Sequence, residues 1–262
     1  MTTVSSLAFV HPEAILGDNV VVGPFAYVDR DTVIGEGTRV MAQATILPGA
    51  RIGKNCLIFP HAVVSAIPQD LKFQGEETTA IIGDNTTIRE CATVNRGTAS
   101  KGFTKVGNNC LIMAYSHVAH DCILKDHVIL GNTTQLAGEV EIDDYAILSG
   151  GTLVHQFSRI GAHVMIQGGS KIPKDIPPYV MVGRDPIVYV GLNIVGLRRR
   201  GFTSERINAI QEVYRLLYMS GLNVTQATER IEKELPVSEE RDYVLSFIRS
   251  SGRGIVRGSM EG

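Results

Sequence analysis

The chain has 262 residues, a formal net charge of −2 and a hydrophobic fraction of 44%. A chain of this size can bury a large core, and its near-neutral balance gives no general affinity for nucleic acid or other polyanions. It contains no apolar run long enough to span a bilayer and no charged-then-apolar leader, so we expect a cytoplasmic protein without an integral membrane segment.

A six-residue repeat of aliphatic side chains runs through most of the chain. Every sixth residue from Val10 to Ile172 is Val, Ile or Leu, except Asp70, Glu76 and Ser100. This period fits neither an α-helix nor an amphipathic strand and is typical of a parallel β-helix built from hexapeptides. Three hexapeptides make one coil, so residues eighteen apart are predicted to be vertical neighbours about 4.8 Å apart.

The repeat also predicts which side chains fill the β-helix. The residue four places after each aliphatic one is small, as at Ala44 and Ser116, and we expect both positions to fill a triangular interior. The residue directly after the aliphatic one is often glycine, as at Gly35, which suits a corner that needs positive φ or close backbone approach. Three cysteines occupy the small position: Cys56, Cys110 and Cys122. We therefore expect packing cysteines in a reducing compartment.

Two interruptions of the repeat predict two loops. The repeat fails at about residues 65–80 and 95–105, and it resumes in the same phase each time. Each interruption is therefore interpreted as a loop extruded from a corner, where binding residues tend to gather.

The pattern changes after Lys171. From Thr203 onward, the apolar spacing predicts amphipathic helices, with three candidate N-caps: Ser204, Asn223 and Ser238. The predicted organisation is a β-helix over residues 1–190 and a C-terminal helical domain over residues 191–262.

The densest polar cluster lies in the middle of the repeat, at residues 117–122. Asp121 follows His120 on an exterior corner, and a carboxylate beside imidazole favours a general-base role. The eighteen-residue rule stacks Gly138, and then Gln156, on His120. A base next to a glycine N–H that can stabilise an oxyanion is the arrangement that acyl transfer needs.

Other polar residues are interpreted by position. His155 and His163 are expected near His120 on the following coils. The three arginines at residues 198–200 are interpreted either as a solvated surface or as a phosphate-binding site. Three isolated histidines are expected to be solvated: His11, His61 and His127.

Seven segments together resemble the acyl-carrier-protein:UDP-N-acetylglucosamine O-acyltransferase family. They span residues 69–72, 88–90, 95–98, 117–122, 154–157, 160–165 and 196–202. Hexapeptide repeats are shared by many acyltransferases, but these segments in this order are specific, and the likeness covers essentially the whole chain.

The resemblance implies a homotrimer of left-handed β-helices with active sites between subunits. It implies transfer of an (R)-3-hydroxyacyl chain from the phosphopantetheine of acyl carrier protein to the 3-hydroxyl of UDP-N-acetylglucosamine, the first step of lipid A biosynthesis. No metal or other cofactor is implied. His120 would be the general base, Asp121 the carboxylate beside it, and Gly138 the donor to the oxyanion.

The resemblance also assigns the binding residues. The contacts to the nucleotide sugar or its phosphates would be Gln69, Asp70 and Lys72. The residues lining the sugar and acyl cleft would be His117, His155 and Gln156. The residues engaging the nucleotide or the phosphopantetheine arm would be Asn193, Arg199 and Arg200. Gly168 would be the ruler for acyl length.

Some residues depart from the family pattern. Glu139 stands where well-known members have histidine, and the eighteen-residue rule places it beside Asp121. Two close carboxylates would favour a protonated imidazole or raise one carboxyl pKa, so we predict that Glu139→His shifts the pH–rate profile. Val195 replaces an acidic residue found in some members, and Gln167 adjoins Gly168.

Three alternatives remain open. A γ-type carbonic anhydrase shares the left-handed β-helix and would take zinc ligands from His117, His120 and His155, although the helical tail argues against it. A non-enzymatic scaffold predicts plain repeats without a histidine-rich column. The sister N-acyltransferase of the same pathway also uses a histidine base, but it carries an additional N-terminal domain, which is not expected where the repeat begins by Val10.

Overall fold

Very short strands alternate with turns at the spacing of the aliphatic repeat. The computed structural model describes residues 1–258. The strands in chain order are β1 (Thr3–Val4), β2 (Phe9–Val10), β3 (Ile15–Leu16), β4 (Val21–Val22), β5 (Tyr27–Val28), β6 (Val33–Ile34), β7 (Arg39–Val40), β8 (Thr45–Ile46), β9 (Ala50–Ile52), β10 (Leu57–Ile58), β11 (Val63–Ala66), β12 (Thr79–Ile82), β13 (Thr87–Ile88), β14 (Thr93–Asn95), β15 (Phe103–Val106), β16 (Leu111–Ile112), β17 (His117–Val118), β18 (Ile123–Leu124), β19 (Ile129–Leu130), β20 (Gln135–Leu136), β21 (Glu141–Ile142), β22 (Ile147–Leu148), β23 (Leu153–Val154), β24 (Arg159–Ile160), β25 (Met165–Ile166), β26 (Lys171–Ile172), β27 (Val180–Gly183) and β28 (Val188–Leu192).

The strands stack into three sheets that form the faces of a left-handed β-helix, which confirms the predicted fold class. Sheet A has the order β1-β4-β7-β10-β13-β16-β19-β22-β25-β27-β28, sheet B runs from β2 to β26, and sheet C runs from β3 to β24. Each coil visits sheets A, B and C in turn, so the prism has an AB corner, a BC corner and a CA corner. All the neighbouring strands within the coils pair in parallel, and only β27 and β28 are antiparallel.

The register confirms the eighteen-residue coil. His117 pairs with Gln135, and Ile123 pairs with Glu141. Two coils are longer, because Leu57 pairs with Thr87, thirty residues on, and Thr93 pairs with His117, twenty-four residues on. The extra residues form a first loop at residues 67–78, between β11 and β12, and a second loop at residues 96–102, between β14 and β15. Both loops leave the BC corner, and their flanking strands extend further into the interruptions than the repeat predicts.

The interior contains the two predicted kinds of side chain. The aliphatic position is fully buried in the middle coils, as at Ile58, and so is the small position, as at Cys56 and Ala44. Burying one such aliphatic side chain contributes about 1.5–3 kcal/mol. The aliphatic residue Val10 is only partly buried, in the first coil.

The glycines after the aliphatic position serve close approach, not positive φ. A Cβ at Gly35 would lie 2.6 Å from the carbonyl carbon and oxygen of Gly53 in the next coil. Positive φ occurs two residues later at the corner, where Asp121 has φ 60° and Glu139 has φ 63°. The corner turns therefore place Asp121 and Glu139 in the left-handed region, where Asp and Asn are more tolerated than branched residues.

Within residues 1–258, four helices follow the β-helix: α1 (Ile194–Arg199), α2 (Ser204–Met219), α3 (Val224–Glu234) and α4 (Glu239–Arg249). Asn223 caps α3 in a capping box with Gln226, and Ser238 caps α4, as predicted. The predicted cap Ser204 is wrong, because Thr203 caps α2 and Ser204 is its first helical residue. The short helix α1 was not predicted, and it contains most of the arginine run.

The helices pack onto the last coils of the β-helix. The hydroxyl of the fully buried Tyr214 in α2 donates to the Pro178 carbonyl at 2.6 Å, and the hydroxyl of Tyr218 donates to the Val256 carbonyl at 2.9 Å. The last four residues of the predicted C-terminal domain lie outside the described part of the chain.

Candidate active site

The pair His120 and Asp121 lies at the BC corner, between β17 and β18. His120 Nδ1 is 2.7 Å from Asp121 Oδ2, and the Asp121 side chain is fully buried. Because Nδ1 faces a carboxylate, it carries a proton in the neutral ring, and Nε2 is left with the lone pair. The ring nitrogen with the available lone pair is therefore Nε2.

Asp121 is held by the second loop, a role that the sequence analysis missed. Its carboxylate accepts hydrogen bonds from the Thr98 N–H at 3.0 Å, the Thr98 hydroxyl at 2.7 Å and the Lys101 N–H at 3.2 Å. Burial is the largest single influence on the Asp121 pKa and raises it, but the hydrogen bonds from Thr98, His120 and Lys101 outweigh burial and lower that pKa. Asp121 is consequently ionised beside the imidazole.

The first loop brings Asp70 to the other side of the imidazole. Asp70 Oδ2 is 3.9 Å from His120 Nε2, while Asp70 Oδ1 accepts the Lys72 N–H at 2.9 Å. The side chains of Gln69 and Lys72 in the same loop are exposed. The loop thus places the Asp70 carboxylate beside His120 Nε2, while Gln69 and Lys72 are exposed on the same loop.

The predicted column of His120, Gly138 and Gln156 is confirmed by the register. Glu139 N–H donates to the His120 carbonyl at 3.0 Å, and Phe157 N–H donates to the Gly138 carbonyl at 3.2 Å. The imidazole lies across Gly138, because a Cβ there would be 2.5 Å from His120 Cε1 and 2.6 Å from Nε2. The Gly138 N–H donates to no acceptor within residues 1–258. Gly138 itself is buried beneath the ring.

Two further histidines lie near this column. His117, on the outer face of sheet B, is 2.7 Å from the Thr93 hydroxyl through Nδ1. Burial, and then the neighbouring His120, lowers the pKa of His117. His155 is exposed at the BC corner, and its Nδ1 lies 3.0 Å from the Gln156 carbonyl. His117 is thus fixed in place, whereas the His155 imidazole lies at the surface.

Glu139 does not affect Asp121 as expected. Its carboxylate accepts the Ser100 hydroxyl at 2.5 Å and lies 3.4 Å from Lys101 Nζ, which also lies 3.2 Å from Glu141. The positive charge of Lys101 therefore compensates Glu139, and the predicted rise in a carboxyl pKa is wrong for Asp121, whose pKa is lowered.

Asn193, Arg199 and Arg200 lie away from His120, against the CA corner. Asn193 is buried, with its side chain accepting the Gly196 N–H and donating to the His163 carbonyl at 2.9 Å. Arg200 donates to the Tyr145 carbonyl at 3.2 Å, and Arg199 is exposed. His163 also belongs to this corner, so its expected position near His120 is wrong.

The CA corner contains a column of stacked rings. Ring centroids are 4.4 Å apart for His127 and Tyr145, 5.1 Å for Tyr145 and His163, and 5.7 Å for His163 and Tyr179. His127, expected to be a solvated residue, is therefore packed on one ring face. Gly168 lies at the AB corner, where a Cβ would meet the Gly150 carbonyl oxygen at 3.1 Å. The candidate binding residues are thus spread over all three corners of one chain.

Comparison with known proteins decides the family. A model described as UDP N-acetylglucosamine O-acyltransferase, domain 2, matches residues 175–256, and a bacterial transferase hexapeptide model matches residues 31–66 and 103–138. The acyl-[acyl-carrier-protein]--UDP-N-acetylglucosamine O-acyltransferase of Aliarcobacter butzleri is 42% identical over 97% of this chain and 98% of its own length. The chain belongs to this family. The enzyme of the same name from Campylobacter concisus is 38% identical over 97% of both chains.

Solved structures agree with the family assignment. The crystal structure of a UDP-N-acetylglucosamine acyltransferase from Bacteroides fragilis has a TM-score of 0.95 and 56% identity, covering 97% of this chain and 99% of that one. The enzyme from Francisella novicida has a TM-score of 0.95 and 42% identity, covering 98% and 95%. The predicted class of enzyme is confirmed, and this chain is an acyltransferase.

The other interpretations of the sequence are not supported. Among residues 1–258 of this acyltransferase, no three His, Cys, Asp or Glu side chains are grouped so that they could hold a metal ion. The family assignment also excludes the scaffold, and the curated relatives named above are O-acyltransferases, not N-acyltransferases. Within the same residues, no helix is both long and apolar enough to cross a membrane.

Proposed function

We propose that this acyltransferase moves a 3-hydroxyacyl chain from acyl carrier protein to the 3-hydroxyl of UDP-N-acetylglucosamine, the first step of lipid A biosynthesis, in the cytoplasm. The observation that carries the mechanism is the position of the His120 imidazole between two carboxylates. Asp121 lies 2.7 Å from Nδ1 and Asp70 lies 3.9 Å from Nε2. The names of the relatives supply the donor and the acceptor.

The step needs a base and an oxyanion donor. His120 Nε2 takes the proton of the sugar 3-hydroxyl while its oxygen attacks the thioester carbonyl carbon. The C–S bond then breaks, and the proton returns from His120 to the leaving thiolate of the phosphopantetheine arm. The Gly138 N–H, which has no acceptor within residues 1–258, stabilises the negative oxygen in between. This route requires neither a metal nor another cofactor.

A covalent acyl-cysteine route is disfavoured by the position of the cysteines. Cys122 directly follows Asp121, but its side chain is in the interior of the β-helix. Burial raises the pKa of the Cys122 thiol to about 12, so the thiolate that would attack a thioester is not formed near neutral pH. Direct attack by the sugar hydroxyl is the simpler route.

A homotrimer would bring the dispersed binding residues together. His120 lies at the BC corner, but Arg199 and Arg200 lie at the CA corner, so one chain alone leaves the site incomplete. The outward side chains of sheet A include a half-buried apolar stripe: Leu111, Ile129, Ile147 and Met165. Those of sheet C include charged residues: Lys105, Glu141 and Arg159. Sheet A is therefore better suited than sheet C to contact a second copy, since apolar area favours association.

Mixed trimers test the shared site. His120→Ala and Arg199→Ala chains are each expected to be weakly active alone. After co-refolding, about a quarter of the intersubunit sites should carry neither change, because each site takes one corner from each of two chains. Recovery of about that fraction of wild-type activity supports a shared site, whereas no recovery places the whole site within one chain.

The reaction itself is tested by product formation. Purified protein is incubated with UDP-N-acetylglucosamine and 3-hydroxyacyl carrier proteins of several chain lengths, and the acylated nucleotide sugar is quantified. His120→Ala should lower kcat by about 10²-fold or more, as expected for loss of a general base. His11→Ala, which changes a histidine on the first coil, is the control and should retain activity. An unchanged rate for His120→Ala would refute the base assignment.

A further inference from the structure

The second loop donates a side-chain hydroxyl directly to the carboxylate that orients His120. Thr98 Oγ1 is 2.7 Å from Asp121 Oδ2, and His120 Nδ1 is 2.7 Å from the same oxygen. Thr98 is 8% exposed and Asp121 is fully buried, so water does not compete freely for this contact. The hydroxyl and the imidazole therefore share one acceptor atom.

The direction of the hydrogen bond between Thr98 and Asp121 is fixed by the ionised carboxylate and by the Ser100 N–H. The Ser100 N–H donates to Thr98 Oγ1 at 3.2 Å. A hydroxyl has one proton to donate, and the ionised carboxylate can only accept. The hydrogen bonds consequently run from Ser100 N–H to Thr98 Oγ1, and from the Thr98 hydroxyl to Asp121 Oδ2.

We propose that Thr98 is a positioning residue for the acyl transfer, acting on His120 through Asp121. Its hydroxyl donates to Asp121 Oδ2 and holds that oxygen where it also accepts from His120 Nδ1–H, which keeps the lone pair of the ring on Nε2. The proposal rests on the proposed role of His120 as the base. It makes the second loop part of the apparatus that sets the tautomer and orientation of the imidazole.

The rest of the loop is anchored independently of the Thr98 hydroxyl. The N–H groups of Thr98 and Lys101 both donate to Asp121 Oδ1. The Ser100 hydroxyl and the Lys101 ammonium bind Glu139. Removing only the Thr98 hydroxyl should therefore leave the loop in place, so that Thr98→Val removes its contacts to Asp121 Oδ2 and to the Ser100 N–H and leaves the other anchors of the loop intact.

The expected change in pH dependence follows from the charge on Asp121 Oδ2. Without the Thr98 hydroxyl, less of that charge is offset by a donor, and the carboxylate attracts the protonated imidazole more strongly. The acid limb of kcat/KM should therefore move to higher pH by about half a unit.

Several other charged or titratable groups lie close to His120 or Asp121 and are unchanged by this substitution. They are Asp70 from the first loop, His117 from β17, Lys101 from the second loop, and Glu139 from the next coil. Because none of them contacts the Thr98 hydroxyl, the shift reports on the path through Asp121.

The test compares Thr98→Val, Thr98→Ser and Thr38→Val. Thr98→Val should lower kcat about 10-fold and shift the acid limb upward, with KM for UDP-N-acetylglucosamine within about twofold, because a hydrogen bond to a charged group is lost while the binding residues remain. Thr98→Ser keeps the hydroxyl and should restore both values. Thr38→Val is the matched control, since the Thr38 hydroxyl is also buried and donates to a carbonyl, that of Gly53 at 2.8 Å.

The outcomes separate this proposal from the base assignment. If Thr98→Val equals Thr38→Val in kcat and pH profile while His120→Ala is inactive, the positioning role is overturned and the base role stands. If Thr98→Val lowers kcat without shifting the pH profile, or if Thr98→Ser does not restore kcat, the role of Thr98 is merely structural. Either result also overturns the proposal. Should Thr98→Val fail to fold, the pH–rate profiles of Thr98→Ser and Thr98→Ala decide, with an upward shift of the acid limb expected for the alanine variant alone.

Discussion

The BC and CA corners have the same coil geometry but give their histidines opposite surroundings. At the BC corner, His120 has the carboxylates of Asp121 and Asp70 at 2.7 Å and 3.9 Å from its two nitrogens. At the CA corner, burial, and then the arginines Arg200 and Arg206, lower the pKa of His163 to about 4.

This difference teaches that the repeat sets where a side chain lies, while its neighbours set what it can do. Imidazole between two carboxylates is suited to take and return a proton, because the charged ring is stabilised when it forms. Imidazole between aromatic rings and arginines stays neutral, so His163 contributes packing. The two corners can therefore be tested against each other by equivalent substitutions.

The largest effect is expected for Asp121→Asn. The amide removes the negative charge, and its NH₂ group would turn His120 to the tautomer with the proton on Nε2, which cannot act as the base. We expect kcat to fall by about 10²-fold or more. Asp126→Asn, at a turn of the CA corner where Asp126 accepts the Asn108 N–H at 2.8 Å, is the control and should stay within about threefold. Equal losses for both variants would mean that the BC corner has no special role.

The next effect is expected for Gly138→Ala. The new Cβ would lie 2.5 Å from His120 Cε1, so the imidazole must move and kcat should fall at least about 10-fold. Gly150→Ala places a Cβ at an equivalent turn position of the AB corner, where the nearest atom is 3.1 Å away. Thermal unfolding of both variants shows whether the loss at Gly138 is catalytic. A normal kcat for Gly138→Ala would argue against the stacked geometry.

At the CA corner, a stability effect is expected instead of a catalytic one. The pKa of His163 is about 4 in the folded chain, below the ordinary value near 6.5, so the unfolded chain binds the proton more tightly. The contribution of neutral His163 is complete above pH 6.5 and is lost as the pH falls toward 4. After allowing for partial exposure of the ring, we expect a loss of about 1–2 kcal/mol. Urea unfolding of wild type and His163→Phe measures it, and the variant should lack this part of the pH dependence.

The smallest effect is expected for Glu139→Gln. The carboxylate is compensated by Lys101 at 3.4 Å, so the substitution weakens one partly buried ion pair and should cost about 1 kcal/mol or less. The pH–rate profile should move by no more than about 0.3 units, because Asp121 separates Glu139 from the imidazole. A larger shift would restore the initial interpretation that Glu139 sets the pH optimum, and Glu139→His would then show it most clearly.

Much of the fold was predictable from sequence because the repeat is strictly periodic. The six-residue aliphatic repeat predicts the coil length, the interior residues and the stacking of Gly138 on His120. The lengths of the two loops also predict where the loops lie on the β-helix. The first loop adds twelve residues and the second adds six, which places both at the corner that carries His120.

The contacts across that corner could not be predicted, because they depend on how each loop folds back. Nothing in the spacing pairs Thr98 with Asp121 or Lys101 with Glu139, since loop backbones lack the periodicity that fixes a strand register. The same limit explains the error about His163. It follows His155 closely in sequence, but one hexapeptide step moves a residue to the next corner.

The most direct test of the account is the pH dependence of kcat/KM for wild type and His120→Ala. For wild type, kcat/KM should fall with unit slope on the acid side as the base becomes protonated. The residual activity of His120→Ala should lack this acid limb between pH 5 and 8. An acid limb that persists at the same pH in His120→Ala would show that another group is the base.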